Sequence, residues 1–301
     1  MLYYMLHLAA LGGIYILLAS SLNIIVGLSG QVSLGHGAFF GIGAYTSALV
    51  SQAFPEIPFI LLMPLSGIPA LMAALLLSPP ALKLKDEYLA VVTLGFGIIC
   101  ELAIKNLDFT GGPDGLYGLN NFGMSAGGFI PPIWFWVVIC LVVTWRMNAG
   151  QFGRNLTAIR EGEQTAMTMG ISPLPIKVIC FGVSAYFAAV AGSLYAHFIT
   201  FIQPGVFGLS TSILLLCMVV LGGMGTVFGP VVGAIILFLL PEFLQAFADY
   251  QELIYGLLLI LTLIFRPQGI VGKTSGHGQG LIGELVKTVR GRGKAVLGFK
   301  F

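Results

Sequence analysis

Residues 27–45 read Gly27-Leu-Ser-Gly-Gln-Val-Ser-Leu-Gly-His-Gly-Ala-Phe-Phe-Gly-Ile-Gly-Ala-Tyr45, a glycine-rich stretch set between two strongly apolar runs. It carries polar groups at Ser29, Gln31, Ser33 and His36. Inside a bilayer, unpaired backbone N–H and C=O groups are costly. Irregular chain survives there only where it is packed in protein or lines a watery path. Two readings follow: close helix packing through small residues, or a path for a solute. Gln31, Ser33 and His36 favour the path, because packing alone does not require them. Phe40 and Tyr45 continue the same candidate path. His36 either hydrogen-bonds a neighbouring helix or serves passage and gating directly, since intramembrane ionisable groups are expensive to keep.

Working outward, the chain as a whole has a membrane composition. Of its 301 residues 57% are hydrophobic and 9% charged, with a mean hydropathy of +0.97. Soluble domains carry about 25% charged residues, so a soluble enzyme is excluded. Charge is unevenly placed: residues 1–272 hold eight Lys/Arg against eleven Asp/Glu, and residues 273–301 hold six against one. This predicts a transmembrane domain over 1–272 and a flexible basic tail over 273–301, resting near anionic headgroups on the cytosolic side. No folded basic domain accompanies the tail, so nucleic-acid binding is not expected. Cys100, Cys140, Cys180 and Cys217 each sit in an apolar run without a CxxC partner; they read as small core residues rather than metal or redox groups. The N-terminus lacks a basic n-region and an A-x-A cleavage site, so 4–27 reads as a retained span.

A crossing helix needs about 20 mainly apolar residues. Such runs fall near 4–27, 36–54, 59–79, 88–105, 131–147, 175–200, 210–222, 230–248 and 253–266. They predict an all-α polytopic bundle of about nine transmembrane helices, with eight to ten allowed by the looseness of such boundaries. With the N-terminus outside, the inside segments are 28–35, 80–87, 148–174, 223–229 and the tail. All Lys/Arg except Lys105 then lie in or beside the inside segments, as the positive-inside rule asks. Prolines 55, 58, 79, 80, 131, 132, 173, 175 and 267 mark the run ends, where a missing N–H does least harm.

Other constellations narrow the chemistry. Leu221-Gly-Gly-Met-Gly-Thr-Val-Phe-Gly-Pro-Val-Val-Gly233 is a second glycine-interrupted apolar segment; a pair of broken segments in two halves points to a transport path. Glu101 and Lys105 have the spacing of an ion pair on one helix face. Thr110-Gly-Gly-Pro-Asp-Gly-Leu116 is turn-forming. Thr110, Gly111, Gly112, Pro113 and Asp114 read either as a structural turn beneath a docking partner or as part of an external gate. The inside loop predicts a helix from about Asn155 to Met169, with Gly170 as its C′ residue and Ser172-Pro173 opening the next. Leu156, Ile159, Ala166 and Met167 share its apolar face, while Arg160, Glu161 and Glu163 stay polar. Such a helix lies on the bilayer or docks into a partner's groove; mixed charge favours the protein partner. Gly269-Ile-Val-Gly-Lys-Thr274 resembles the end of a phosphate loop, but Pro267 stands where the first glycine belongs and no strand precedes it. No cofactor is expected on this chain, and ATP would be used by another.

Together, the 27–45 stretch, Thr-Gly-Gly-Pro-Asp-Gly-Leu at 110–116, Ala-Ile-Arg-Glu-x-Glu-x-x-Ala-x-x-Met-Gly-Ile at 158–171 and Val-Val-Leu-Gly-Gly-Met-Gly-Thr-Val-Phe-Gly-Pro at 219–230 resemble the permeases of branched-chain amino acid ABC importers, of the LivM type. The resemblance runs from about 20 to 272. It implies a bacterial or archaeal inner-membrane subunit working with a homologous second permease, two cytosolic ABC ATPases and an external solute-binding protein. It implies branched-chain amino acids, other amino acids, urea or short amides as solutes. It also implies that Glu163-x-x-Ala166-x-x-x-Gly170, with Ile159, Arg160, Glu161 and Met167 beside it, is the loop presented to the ATPases. One departure stands out: many members of the family carry an acid just after the Gly-Phe-Gly of the fourth span, with a basic residue about a turn later, whereas here Gly95-Phe96-Gly97 precedes Ile98 and the acid is Glu101.

The expected mechanism is alternating access. A stand-alone secondary transporter or channel would need intramembrane carboxylates for ion coupling, and Glu101 is nearly alone. An intramembrane enzyme would need a catalytic constellation around His36, and none is present in the sequence.

Overall fold

The protein is described by a computed structural model over residues 2–82 and 86–243, with 254, 256, 257, 260–262, 264 and 268–271. The basic tail 273–301 and half of the ninth apolar run lie outside the described residues. Ten α-helices occupy the described chain: α1 Leu2–Asn23, α2 His36–Ala53, α3 Phe59–Ala81, α4 Asp86–Asn106, α5 Ala126–Asn148, α6 Gly150–Glu161, α7 Glu163–Thr168, α8 Pro173–Ile199, α9 Leu209–Gly222 and α10 Gly229–Phe243. Two short strands, β1 Leu116–Tyr117 and β2 Phe201–Ile202, pair antiparallel with Leu116 opposite Ile202.

Six described segments are long and apolar enough to cross a membrane: α1 with the turn that follows it, α3, α4, α5, α8, and α9 with the turn before it. Burial explains why α2 is not among them. Twelve of its residues are buried, because α2 packs against α8, α3 and α4. A helix enclosed by protein has no need of a lipid-compatible surface, so it keeps His36, Ser47 and Ser51. Around this centre α1 and α8 are largely enclosed, whereas α4 and α5 show most of their apolar surface outward. Phe39 of α2 joins the layers, its ring 5.2 Å from Phe96 of α4 and 5.6 Å from Phe181 of α8.

Contacts sort the loops into two ends. At one end β1 meets β2, and Leu119 N–H donates to Thr200 C=O at 3.1 Å. At the other, residues 24–35, 160–163 and 223–226 meet. These are the groups that the alternating layout puts on opposite sides.

Three expectations are corrected. The inside loop does not form one helix over 155–169. It bends at Gly162, which is extended (φ 177°, ψ 103°), into α6 and α7. Glycine is about 1 kcal/mol poorer than alanine in a helix, and the bend lets Glu163 reach Lys177 of α8. The predicted stop at Gly170 is present: φ is +81°, Gly170 N–H donates to Met167 C=O, and Ile171 N–H to Ala166 C=O, the Schellman pattern. Second, Met167 does not share the buried face. Leu156, Ile159 and Ala166 are buried, but Met167 is 51% exposed and Met169 72%. A six-residue helix has too few turns to carry the inward stripe through to its end. Third, Pro131 and Pro132 lie inside α5 and Pro79 and Pro80 inside α3, because both helices run past the apolar boundary.

Candidate functional site

The helical ladder of α1 fails at Asn23. One π-helical turn, Ile24–Leu28, follows, and the chain then runs without regular structure from Ser29 to Gly35, with Ser29, Gln31, Ser33 and Gly35 buried and Val32 exposed. Each backbone group freed by the break needs a partner, and most come from side chains. Ser29 Oγ donates to Ile25 C=O at 2.7 Å, and Gln31 N–H reaches the same carbonyl at 3.2 Å. The single Ser29 proton is thereby used, so the 3.1 Å contact with the Gln31 side chain fits an amide NH2 donating to Ser29. Leu34 N–H donates to Thr93 Oγ1 at 3.1 Å, and Gly37 N–H to Ser212 Oγ at 2.9 Å. His36 Nε2 lies 2.8 Å from Ser21 Oγ, which itself donates to Leu18 C=O. Nε2 therefore carries the proton, and Nδ1 is a bare acceptor.

Asn23 joins the two glycine-broken segments. Its Nδ2 donates to Thr226 C=O at 2.9 Å, and its Oδ1 accepts from Gly225 N–H at 2.9 Å. Gly27 stands against that pair: a Cβ there would strike the Asn23 side chain and the Gly225 backbone. Thr226 Oγ1 accepts from Gly229 N–H at 3.0 Å, capping the start of α10. Ile270 and Val271 N–H donate to Leu221 and Gly222 C=O. The Gly269 segment that looked like half a phosphate loop thus satisfies the end of α9.

The α6–α7 unit meets this junction through Arg160. Its Nη1 donates to Gly27 C=O at 2.6 Å, placing a cation at the carbonyl end of the first helix, where the helix dipole favours it. Glu163 Oε2 lies 2.7 Å from Lys177 Nζ. A cavity of about 190 Å³ is lined by Ser29, Gly30, Arg160, Gly162 and Glu163.

Gln31, Ser33, His36, Phe40 and Tyr45 are all buried. They do not share one wall: Tyr45 is nine residues beyond His36, half a turn round α2. Phe40 and Tyr45 instead meet across Phe207, with ring centroids 4.9 and 5.8 Å away. Among the described residues Ser33 Oγ, His36 Nδ1 and Tyr45 OH have no hydrogen-bond partner. At the far end, Thr110 is buried and its hydroxyl bonds Ile104 C=O of α4 and Leu107 C=O just past it. Gly111 and Gly112 take φ of +78° and +59°, and Pro113 and Asp114 are exposed. Glu101 pairs with Lys105 at 2.6 Å.

The sequence profile described as "Branched-chain amino acid transport system / permease component" matches residues 4–263. The chain belongs to this permease family. The permease is 38% identical over 297 residues to the high-affinity branched-chain amino acid transport system permease protein LivM of Escherichia coli K12, covering 89% of this chain and 70% of that protein. It is 25% identical over 289 residues to LivH, named for a high-affinity branched-chain amino acid transport system in the same strain, covering 87% and 92%. A shorter match, 32% over 152 residues, covers 48% of this chain and 42% of the autoinducer 2 import system permease protein LsrC of Salmonella paratyphi B. No solved structure matches the chain at a significant level. The permease is a multi-pass membrane transport component and not an enzyme.

Sequence reasoning missed Asn23, Lys177 and a buried chain of polar groups at the end where β1 meets β2. Asn23 did leave a signal, an amide within the apolar run 4–27, since a polar group at membrane depth needs a specific partner. The polar chain left only scattered serines and a histidine. His197 Nδ1 donates to Asn120 C=O at 2.7 Å, which leaves Nε2 to accept from Ser47 Oγ at 2.8 Å; Ser47 in turn accepts from Ser193 at 2.7 Å. Ser47→Ala strands both neighbours and is expected to lower the stability of the purified permease by about 1–2 kcal/mol. Ser51→Ala, whose hydroxyl bonds only its own helix at Ala48 C=O, is expected to change it by less than about 0.5 kcal/mol. Thermal unfolding in detergent checks both.

Proposed function

We propose that this permease is the membrane subunit of an ATP-driven importer of branched-chain amino acids in a bacterial inner membrane. A homologous second permease, two cytosolic ATPases and an external solute-binding protein complete the system. The observation that carries the reading is the bond from Arg160 to Gly27 C=O: a loop helix outside the apolar spans grips the point where a membrane helix is broken. One bacterial strain has two named permeases for branched-chain amino acid transport, both similar to this chain. That supports a LivH-like partner. The solute class rests on the near full-length similarity to LivM against the half-length one to LsrC. Substrate passage would use Gln31, Ser33, His36, Phe40 and Tyr45, where bare donors and acceptors can serve a polar solute once the break moves. Thr110 to Asp114 would serve the docking of the binding protein, and α7 with Gly170 that of an ATPase.

Nine crossings with the N-terminus outside fit this role. Beyond α1 to α5, α8 and α9, helix α10 climbs away from the junction. Phe238 meets Tyr15 with ring centroids 5.5 Å apart, and Leu239 shares a cavity with Met5 and Leu8 near the start of α1. Yet Ile270 is back at Leu221. The apolar run 253–266 is the one the sequence offers as a ninth span, near the length a crossing helix needs.

The test is purification of the native complex followed by uptake in proteoliposomes. Two ATPases and a second permease are expected to co-purify, and leucine, isoleucine or valine uptake is expected to stop when the ATPases cannot hydrolyse. Uptake that continues undiminished, driven by a proton or sodium gradient, would establish a secondary transporter instead.

A further inference from the structure

We propose that Arg160 and Asn23 are the positioning residues through which movement of the α6–α7 unit reaches both glycine-broken segments. The inference rests on the ATP-driven reading above and adds the route by which the drive enters the membrane. Three observations carry it. Arg160 is the described hydrogen-bond link from α6–α7 to the break, at 2.6 Å, and a charge-assisted bond to a helix-end carbonyl is the strong kind. Asn23 makes the break and residues 225–226 one body through two bonds of 2.9 Å. A pull on Gly27 is therefore felt at the start of α10. A cavity of about 190 Å³ lined by Ser29 and Gly30 of the break and by Gly162 and Glu163 of the unit leaves free volume between the two at the bend.

The remaining contacts of α6–α7 suit a lever. Leu156, Ile159 and Ala166 seat it on the permease, while Met167 and Met169 face outward, available to a partner. The π turn is the compliant element: its carbonyls are held by a serine hydroxyl, one distant amide and Arg160, so withdrawing Arg160 frees the Gly27 end. Coupling by this route needs a two-state element that both sites bias, and the Ile24–Gly35 break is that element.

The experiment uses the complete complex in proteoliposomes, reading solute taken up per ATP hydrolysed. For Arg160→Ala the ratio is expected to fall about tenfold, the effect of losing one hydrogen bond to a charged group on a two-state equilibrium. Arg160→Lys, which can still donate one bond, is expected to keep most of it. A spin label at Val32, exposed within the break, is expected to change mobility on ATP binding in the wild type but not with Arg160→Ala, while a label at Gln164 on α7 responds in both. Asn23→Ser is expected to abolish the response of a label at Met224 and keep that at Val32. Uptake and hydrolysis that fall in proportion, or a Val32 label that responds without Arg160, would overturn the proposal. Hydrolysis unconnected to uptake in the wild type would instead overturn the ATP-driven reading.

Discussion

Gly43→Leu and Gly192→Leu are each expected to leave no assembled permease, while Gly95→Ala is expected to assemble as well as the wild type or better. All three are glycines in helices. At Gly43 of α2 an added Cβ would overlap the backbone of Ala189 in α8, and at Gly192 of α8 it would overlap Phe40 C=O and lie 2.7 Å from Ala44 N. The obstacle in both is backbone, which cannot rotate away as a side chain would. Small residues let membrane helices approach this closely, and packing is what drives their association there. Overpacking usually costs about 1–3 kcal/mol, and a leucine whose first carbon meets a fixed backbone belongs above that range. Since folded proteins hold only about 5–15 kcal/mol in total, separating α2 from α8 at the bundle centre removes a large share. At Gly95 of α4 nothing lies within 4 Å of the added carbon, and alanine is the better helix former by about 1 kcal/mol. Yield of monodisperse protein in detergent and its melting temperature decide the matter. A folded Gly43→Leu with a wild-type melting temperature would mean that α2 and α8 do not touch in this way.

The same glycines mark the limit of what the residue order alone reveals. Apolar runs announced the long helices, because a lipid-facing helix must be greasy over its whole length, and the interruption at 27–35 was plain for the same reason. Which glycines serve packing and which serve the path was not legible. Gly43 and Gly27 sit in one motif, yet the first meets a helix and the second an asparagine and a loop. The partners of Asn23 and Arg160 lie 202 or 203 and 133 residues away, beyond any local pattern. Gly162 looked tolerable in a helix until Lys177 gave Glu163 a reason to turn. The polar face of the inside loop, by contrast, was readable from charge spacing. The expected ion pair Glu101–Lys105 was also readable, because its two members lie one turn apart on a single helix.

Removing Glu163 is expected to cost more than removing its partner, although the pair is the same. The Lys177 side chain is 4% exposed and that of Glu163 43%. Glu163→Ala leaves an ammonium group enclosed beside Ile159 and Gly162 with its counter-charge gone. Breaking a buried pair in that way costs about 3–5 kcal/mol. The cavity toward Ser29 and Gly30 lets solvent in, and the exposed carboxylate was never fully desolvated, so about 2–3 kcal/mol is expected here. Lys177→Met removes the enclosed charge and leaves Glu163 to face water, for about 1 kcal/mol or less. The double variant Glu163→Ala with Lys177→Met is then expected to lie near the single Lys177→Met, a coupling of about 2–3 kcal/mol in a double-mutant cycle. Uptake is expected to fall wherever Glu163 is absent, because Glu163 sets the bend that turns Met167 and Met169 outward. The double variant would thus recover stability but not full transport, separating the electrostatic role of the pair from its role in shaping α7. Equal and additive costs for the two single variants would mean that Glu163 and Lys177 act independently, and that the turn at Gly162 is held by glycine alone.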